Sequence, residues 1–415
     1  MPQPRLVILD PAHSSNVGHH DEVNRPLLAA LQRAGWAAEL WADVALEAEA
    51  DAPHPLLGAF SGCGYVDPQQ WRHLSGTLQL AKRLEQQLAL ASAAGPPVQA
   101  WLAHSLLPFQ LLGLARHLTT APPARLLISL MFAPAETLGG NGDAQLAIGN
   151  ARVALAALAR AVAQGDHQLQ LAFPSLQQHT LYTPLLKATG LTGNGVHPAV
   201  VGAGCTPEPP EPGTPAKVLL HWGDRKPGKG RQEALAVLNQ LLSEGPPAEL
   251  QGWRWLFHCH SREGLPAREQ EVLQRALEAE LGLEWLQGPQ SCAALVQQLA
   301  ACPLALLAYD PELYGERSSG MLWHWAAARQ ALGHPAAAVG HATGWLAREA
   351  PQLGVNWSAP QRRDGWLEAL AVAATQLNPG QGSTAYGQEV LGRSFAAWCA
   401  EQLADTRQQR QSEGT

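Results

Sequence analysis

The sequence predicts an α/β protein of two domains, each built around a parallel β-sheet. Short apolar runs alternate with amphipathic segments of helical period through most of the chain, which is typical of parallel sheets covered by helices. The length of 415 residues exceeds that of one ordinary domain. The segment Cys205–Pro215 contains five prolines and one glycine, so it cannot continue a helix or a central strand. We therefore expect domains at residues 1–209 and 210–385, followed at 386–415 by a C-terminal helix and polar tail, and we leave open whether this segment packs back on the first domain.

Buried strands of the N-terminal half are predicted from its apolar runs. Leu6–Leu9 is the first, and Val98–Ala103 and Arg125–Met131 follow it along the chain. Helices are predicted where apolar residues recur at helical spacing, at residues 26–36, 106–118 and 144–163.

The pattern of strand and helix restarts after the proline-rich segment. Strands are predicted at Val218–His221, Trp253–His258 and Leu304–Ala308. Helices are predicted between them at residues 231–242, 266–281 and 291–300, with Ser291 as the N-cap of the last. The final polar residues, DTRQQRQSEGT, predict a frayed tail.

Composition and charge argue against several classes of protein. The formal net charge of −7, from 28 basic and 35 acidic residues, disfavours a general nucleic-acid binder. Six cysteines occur without a C-x-x-C pair, which favours a reducing compartment over a disulfide framework. No apolar run resembles a membrane span or a signal peptide. We expect a cytoplasmic protein without nucleic-acid partners and leave peripheral membrane contact open.

The segment Leu304–Gly340 predicts a strand, a loop, a helix and a second strand. Its helix opens with Ser318, Ser319 and Gly320 and ends near Gly333. The first N–H groups of a helix lack intrahelical partners, and the helix dipole is positive there. The segment therefore predicts a site for phosphate or sugar oxygens.

A second candidate for phosphate binding is the segment HWGDRKPGKG, which starts at residue 221. Gly223, Gly228 and Lys229 fit the G-x-x-x-x-G-K frame of a phosphate loop, but Gly230 stands where a Ser or Thr hydroxyl must bind Mg²⁺. The Arg225 guanidinium and the Lys229 ammonium suit a diphosphate without a metal ion. A solvated turn with three basic residues is the alternative.

Together the two segments resemble the GT-B glycosyltransferases, especially the retaining family-4 type. That family carries Gly-x-Arg … Lys-Gly after the first strand of its C-terminal domain, matched here by Gly223, Arg225, Lys229 and Gly230. The resemblance implies two Rossmann-like α/β domains that face each other across a cleft, with a nucleotide-diphosphate sugar bound mostly on the C-terminal domain. It also implies that Arg225 and Lys229 stabilise the charge on the leaving diphosphate.

The family also carries a Glu–x7–Glu element around a small, glycine-containing turn, and residues 316–324 occupy its frame. The resemblance implies that Glu316 contacts hydroxyl groups of the donor sugar. His324 replaces the second glutamate, which in the family holds the nucleotide ribose, so this contact is left open. Glu312 is a rival for the first position. The remaining donor-binding candidates lie in the turn and the helix start: Arg317, Ser318, Ser319, Gly320 and Met321.

Residues 10–24 follow the first strand and precede a helix, as the glycine-containing loop of the family does. The resemblance implies that Gly18, His19 and His20 lie near the donor phosphate or the acceptor, and ligands of parallel sheets bind at the carboxyl ends of strands. His104 ends a strand where the family often has a histidine near the anomeric carbon, so it is a candidate catalytic residue. Exposed loop histidines and a helix-capping histidine are the alternatives.

We therefore expect a glycosyltransferase that moves a sugar from a nucleotide-diphosphate sugar to a small-molecule, glycan, lipid or protein acceptor, with retention and without a metal or cofactor. The sequence has no Asp-x-Asp triplet, which metal-dependent transferases use, and no G-x-G-x-x-G after its first strand. Two alternatives stay open. One is a P-loop-like NTPase, and the other is a non-catalytic GT-B partner or binding subunit, which the missing second glutamate favours.

Overall fold

The computed structural model describes residues 3–16, 18–47, 55–136, 143–200, 206–223, 226–259, 265–288, 290–377 and 384–412, with side chains described as far as residue 404. The chain forms two compact units. Unit 1 comprises Met1–Ala203 and Ser394–Thr415, and unit 2 comprises Gly204–Arg393. The domain limits inferred from the sequence stay predictions.

Unit 1 is built on a parallel sheet of six described strands, in the order β3-β2-β1-β4-β5-β6. Leu6 to Leu9 in β1 are all fully buried, so both faces of this strand lie in the core, as expected for a parallel sheet covered on both sides. The strands are β1 (Arg5–Asp10), β2 (Ala37–Asp43), β3 (Leu56–Phe60), β4 (Ala100–Ala103), β5 (Arg125–Ser129) and β6 (Gln168–Ala172).

The helices of unit 1 cover the faces of this sheet. They are α1 (His19–Arg33), α2 (Leu74–Ala93), α3 (Pro108–Leu118), α4 (Ala144–Gly165) and α5 (Leu176–Thr189). Helix α1 begins at His19 rather than near Pro26, because Asp21 and Glu22 stabilise an earlier first turn and Pro26 is accommodated inside the helix. Among the described residues only α4 has the length and hydropathy of a membrane span, and its buried residues pack in the core of unit 1.

Unit 2 repeats the strand order of unit 1. The described strands pair in the order β12-β11-β10-β7-β8-β9, and all the pairs are parallel. The strands are β7 (Lys217–Gly223), β8 (Arg254–Cys259), β9 (Leu283–Gln287), β10 (Leu304–Leu306), β11 (Ala337–Val339) and β12 (Asn356–Ser358). The helices are α6 (Arg231–Glu244), α7 (Ala267–Glu278), α8 (Cys292–Ala300), α9 (Pro311–Tyr314), α10 (Gly320–Ala331), α11 (Trp345–Gln352), α12 (Trp366–Thr375) and α13 (Ala385–Leu391).

The last helix, α14 (Phe395–Ser412), belongs to unit 1. Its first residues are aromatic and buried, and Phe395 packs against His197 at a ring distance of 4.9 Å. The helix continues to Ser412, so most of the polar segment predicted to be frayed is helical, in keeping with the good helix propensity of Gln and Arg.

Candidate functional site

The candidate site of unit 2 lies where the strand order of its sheet reverses. Strands β7 and β10 are parallel neighbours at the centre, and the later strands extend the sheet toward opposite edges. Ligands of open α/β sheets bind at such a switch point, at the carboxyl ends of the strands. The loop after β7 and the start of α10 both follow these two strands.

Three glycines shape the loop after β7. Gly223, Gly228 and Gly230 have φ values of +72°, +76° and +77°, in the left-handed region that L side chains rarely adopt. A Cβ atom added to Gly230 would lie 3.0 Å from the carbonyl oxygen of Ala308. The backbone N–H of Asp310 donates to the carbonyl of Gly228 at 2.7 Å. The loop is therefore held against the segment that follows β10.

Tyr309 joins the two segments that the sequence analysis singled out. The Nζ atom of Lys229 lies 5.9 Å from the centroid of the Tyr309 ring, within the range of a cation–π contact. The Oγ atom of Ser319 donates to the Tyr309 hydroxyl at 3.4 Å. Lys229 and the start of α10 are thus neighbours around one ring. Arg225, the other predicted cation, lies outside the described residues.

The start of α10 presents backbone donors. The Oγ atom of Ser319, the N-cap residue, accepts a hydrogen bond from the N–H of Leu322 at 3.2 Å. Gly320 and Met321 lie in the first turn, where N–H groups have no intrahelical acceptor. A Cβ added to Gly320 would meet nothing within 4 Å, so close packing does not require glycine there. This helix start suits an anionic oxygen.

The other donor-binding candidates lie just before α10. Glu316, Arg317 and Ser318 are half-buried, whereas Glu312, the rival of Glu316, is exposed. The Arg317 guanidinium lies 5.3 Å from the centroid of the Tyr314 ring, which packs 5.1 Å from the Tyr309 ring. These side chains therefore belong to the same neighbourhood as Lys229. The sugar contact of Glu316 stays a prediction.

His324 is buried in α10, with 8 % of its surface exposed. Burial lowers its pKa to about 4, so the ring is neutral near pH 7. Its Nδ1 atom lies 4.0 Å from the Sγ atom of Cys292, the first residue of α8. A neutral imidazole can accept or donate one hydrogen bond to a diol, but it carries no charge as glutamate does. The predicted ribose contact stays a prediction.

Two histidines to which the sequence analysis assigned no functional role lie beside the loop. His221 in β7 and His258 in β8 are buried, and their Nδ1 atoms lie 2.9 Å apart. The His221 ring lies 5.8 Å from the Tyr309 ring. Among the described residues no group of three or more His, Cys, Asp or Glu side chains could hold a metal ion. The His221 and His258 rings thus pack against each other, and His221 also lies beside Tyr309. Sequence reasoning also missed Tyr309, although its position directly after a buried strand was a usable signal.

A cavity of about 1110 Å³ borders the same loop, with Gly228 and Gly230 in its wall. It extends past the carboxyl ends of β10, β11 and β12 and is large enough for a nucleotide-sized ligand. Basic and acidic side chains occur together in its lining, among them Lys226, Arg362 and Asp364. The mixed charge of the lining therefore favours neither an anionic nor a cationic ligand.

The N-terminal candidates meet at the carboxyl ends of β1 and β4, which are parallel neighbours. Asp10 ends β1 and is 1 % exposed. Its Oδ2 atom accepts hydrogen bonds from His20 Nδ1 at 2.8 Å and from Asn24 Nδ2 at 2.7 Å. The Nε2 atom of His104 lies 2.9 Å from Asn24 Oδ1. The structure thus joins His20 and His104 through Asp10 and Asn24, neither of which the sequence analysis had assigned.

The charges of this cluster follow from burial and from its one carboxylate. Burial opposes ionisation of Asp10, but the charge and hydrogen bond of His20 hold the pKa of Asp10 well below its usual range. Burial also opposes protonation of His20, yet Asp10 outweighs it and raises the pKa of His20. Burial lowers the pKa of His104 to about 4. The cluster therefore combines a carboxylate with a neutral His104.

Gly18 and His19 are exposed at the start of α1. Gly18 is the N-cap residue, with a φ of +94°, and a Cβ there would meet nothing within 4 Å. The His19 ring lies 5.9 Å from the His20 ring. The two residues therefore border the Asp10 cluster, and their ligand contacts stay predictions.

No family model and no curated protein sequence matches the chain. Solved structures do resemble it. An α,α-trehalose-phosphate synthase (UDP-forming) from Burkholderia vietnamiensis matches with a TM-score of 0.60 and 14 % identity, over 100 % of this chain and 99 % of that one. A trehalose-6-phosphate synthase from a study of glycosyl transfer with retention has a TM-score of 0.56 and 12 % identity, over 98 % and 99 %. The lipopolysaccharide outer core galactosyltransferase WaaB has a TM-score of 0.56 and 10 % identity, over 97 % and 99 %.

At these identities the likeness establishes the fold, and it extends over nearly the whole length of each chain. Both units contribute to the match, each with its parallel sheet of six described strands. The expected fold class is confirmed: the chain has the two-sheet α/β architecture of the GT-B glycosyltransferases.

Proposed function

We propose that the protein is a glycosyltransferase that moves a sugar from a nucleotide-diphosphate sugar to an acceptor hydroxyl. One observation carries the proposal: Lys229 and the first turn of α10 lie around Tyr309 at the switch point of the sheet in unit 2. A lysine and the first-turn amides of a helix, both next to one tyrosine, suit a diphosphate.

In this mechanism the bond between the anomeric carbon and the phosphate oxygen breaks, and its electron pair stays on the diphosphate. The Lys229 ammonium, and by resemblance Arg225, stabilises the growing negative charge. The N–H groups of Gly320 and Met321 bind phosphate oxygens, and Glu316 orients the sugar through its hydroxyl groups. These groups supply positive potential themselves, so we propose that transfer needs no metal ion or cofactor.

We further propose retention at the anomeric carbon. The acceptor oxygen attacks on the face that the phosphate leaves, and the acceptor proton passes to the departing phosphate oxygen. One of the structures with the same fold comes from a study of transfer with retention, which supports this choice. We propose a small molecule, a glycan, a lipid or a protein as the acceptor.

The five described cysteines are buried free thiols, which is consistent with a reducing compartment, and we propose a cytoplasmic location on this ground. The NTPase alternative is disfavoured because Gly230, the N-cap of α6, offers no hydroxyl to Mg²⁺. The non-catalytic alternative is favoured only by the neutral His324 at the position of the second glutamate.

A thermal-shift screen against UDP, GDP, ADP and their glucose conjugates tests the proposal, since a ligand that binds only the native state raises the melting temperature. We expect one nucleotide and its sugar conjugate to stabilise the protein, and transfer from that donor to persist in EDTA. Hydrolysis of ATP or GTP that requires Mg²⁺, without sugar transfer, would favour the NTPase. Donor binding without turnover across many acceptors would favour the binding subunit.

A further inference from the structure

The backbone around Tyr309 is bonded to the loop after β7. Tyr309 lies in the segment that follows β10 and is 6 % exposed. Its N–H donates to the carbonyl of Leu307 at 3.0 Å, and the N–H of Asp310 donates to the carbonyl of Gly228 at 2.7 Å. The residue next to Lys229 in the loop is therefore held directly against the residue next to Tyr309.

Aromatic neighbours hold the Tyr309 ring. The His221 ring lies 5.8 Å from it, and the Tyr314 ring packs edge-on against it at 5.1 Å. His221 in turn packs against His258 at a ring distance of 5.0 Å. These side chains are all buried. Rings at such distances attract each other and fill the space around one another, so the Tyr309 ring has little freedom to turn.

The side chain of Lys229 approaches this ring along Gly223. Its ammonium lies over the Tyr309 ring, with Nζ 5.9 Å from the centroid. A Cβ atom added to Gly223 would lie 3.9 Å from Lys229 Cδ and 3.0 Å from His221 Cε1. The aliphatic stem of Lys229 therefore passes beside Gly223, and the missing side chain of that glycine leaves room for both neighbours.

The Tyr309 hydroxyl contacts the start of α10. The Oγ atom of Ser319 donates to this hydroxyl at 3.4 Å and accepts from the N–H of Leu322 at 3.2 Å. Ser319 is the N-cap residue of α10, so its hydroxyl links Tyr309 to the first turn of the helix. One tyrosine thus contacts both groups that the proposed function assigns to the diphosphate.

The chemistry of a tyrosine suits the task of holding a lysine for catalysis. A lysine is a point charge on a flexible stem, and its stem loses conformational entropy when it is fixed. Fixed charges stabilise a developing negative charge best when they are in place before the reaction. The face of an aromatic ring attracts an ammonium group but, unlike a carboxylate, does not neutralise it. Tyr309 can therefore orient Lys229 and leave its charge available to a phosphate.

We propose that Tyr309 is a positioning residue for the transfer reaction. Its ring places the Lys229 ammonium, and its hydroxyl connects this cation to the first turn of α10. Tyr309 acts through Lys229 and does not touch the reacting atoms. The inference rests on the proposed function, in which Lys229 stabilises the leaving diphosphate, and it deepens that function by identifying the residue that orients the cation.

Steady-state kinetics of two variants of the full chain test this role. Tyr309→Leu removes the ring and should lower kcat by about tenfold, because a misplaced catalytic group stabilises the transition state less well. Tyr309→Phe keeps the ring and should retain kcat within about threefold. Tyr386→Leu is the matched control, since Tyr386 lies in α13 of the same unit and its hydroxyl donates to Glu349 at 2.9 Å.

Combination with Lys229→Ala separates positioning from a general effect on the fold. Tyr309→Leu should lower the turnover of the Lys229→Ala chain by less than about twofold, because the group that it orients is already absent. Tyr386→Leu should change turnover by the same factor in both backgrounds. Losses that multiply for Tyr309→Leu and Lys229→Ala, or a Tyr309→Phe chain as slow as Tyr309→Leu, would overturn the inference.

Spectra of the full chain labelled with ¹³C-lysine test the contact without catalysis. An aromatic ring shields protons above its face, so the Cε protons of Lys229 should resonate upfield of those of Lys187, which is exposed. Lys229→Ala assigns the signal, and Tyr309→Phe should preserve its shift. A Lys229 signal at the position of the Lys187 signal would overturn the inference, even if Tyr309→Leu does not fold.

The native chain separates failure of the inference from failure of the proposed function. A native chain that transfers sugar but shows no coupling between residues 309 and 229 contradicts only the inference. A native chain that binds no nucleotide contradicts the proposed function.

Discussion

The two sheets of this protein share one strand order but differ in the chemistry at their carboxyl ends. In unit 2 the central strands lead to a glycine-shaped loop with Lys229 and to the first-turn amides of α10. In unit 1 the corresponding strands β1 and β4 lead to a carboxylate, Asp10, and to His104. Topology thus determines where each site lies, and the loop residues determine what it can bind. One end presents a lysine and helix-start amides, and the other presents a buried carboxylate beside a neutral histidine.

The largest difference between the units should appear on acidification. Among the described residues, burial lowers the pKa values of His104, His117 and His197 in unit 1 to about 4, whereas in unit 2 it lowers that of His324 to about 4. The unfolded chain binds protons near pH 6.5 and the folded state does not until about pH 4, so stability falls as the pH drops through this window. The free energy of unfolding is therefore lower at pH 5 than at neutral pH, by roughly 2 kcal/mol for each of these histidines.

Hydrogen exchange resolved by unit, compared at pH 7 and pH 5, measures this effect. Amides of unit 1 should lose more protection than those of unit 2, although the raised pKa of His20 offsets part of the loss. The variant His197→Gln should reduce the difference in lost protection between the two units, because it removes one of the buried histidines of unit 1. Equal losses in the two units would contradict the electrostatic contrast between them.

Lys229→Ala should lower turnover of the donor by about 100-fold, because removing one group that stabilises a developing oxyanion typically has this effect. The melting temperature should change little, since the loop is held by its glycines and by the hydrogen bond from Asp310 to Gly228. Lys187→Ala, at the end of α5 in unit 1, is the charge-matched control. A variant at residue 229 with near-normal turnover would remove the leaving-group role.

His324→Ala should raise the KM for the donor by about tenfold with little change in kcat, as expected when a contact made equally in the ground and transition states is lost. Steady-state kinetics measure this split. His324→Glu restores the residue of the resembled family and should recover donor affinity relative to the alanine variant. If the two variants have the same KM, residue 324 does not contact the ribose.

The smallest expected effect is that of Ser319→Ala. Loss of its N-cap bond to Leu322 should lower the free energy of unfolding by about 1 kcal/mol, measured by urea denaturation. Donor turnover should change far less than in the Lys229 variant, because the amides of α10 remain. Ser319→Thr keeps a capping hydroxyl and the neutral charge and serves as the control. A turnover loss as large as that of Lys229→Ala would mean that the hydroxyl itself touches the donor.

The sequence was sufficient to predict the helices and strands that have continuous apolar runs or clear capping residues. Leu6–Leu9 and Val218–His221 lie inside β1 and β7, and Ser291 is the N-cap of α8. The sequence was not sufficient to predict β12, because its three residues are all half-buried and too few to show a periodic pattern of apolar side chains. Such a short edge strand is defined by its pairing with β11 rather than by its own composition.

The same distinction applies to the sites. Lys229 and Ser319 lie in recognisable loop and helix-start patterns, so the sequence was enough to select them as candidate site residues. The Asp10 cluster was not, because Asn24 and His104 are 80 residues apart and meet only through the pairing of β1 with β4. Tyr309 was overlooked for the same reason: its contacts with Lys229 and Ser319 come from separate loops.

Because α14 returns to unit 1, the second unit is, in sequence, an insertion between residues 203 and 394. Arg125 Nη1 donates to the carbonyl of Leu403 at 2.9 Å, so the end of the chain is fastened to β5. A fragment that stops at residue 203 would therefore leave part of its own core uncovered, whereas a fragment of residues 204–393 keeps every described strand of its sheet. Exchange of residues 204–393 between proteins of the same fold would replace unit 2 by two cuts and leave the sheet of unit 1 continuous.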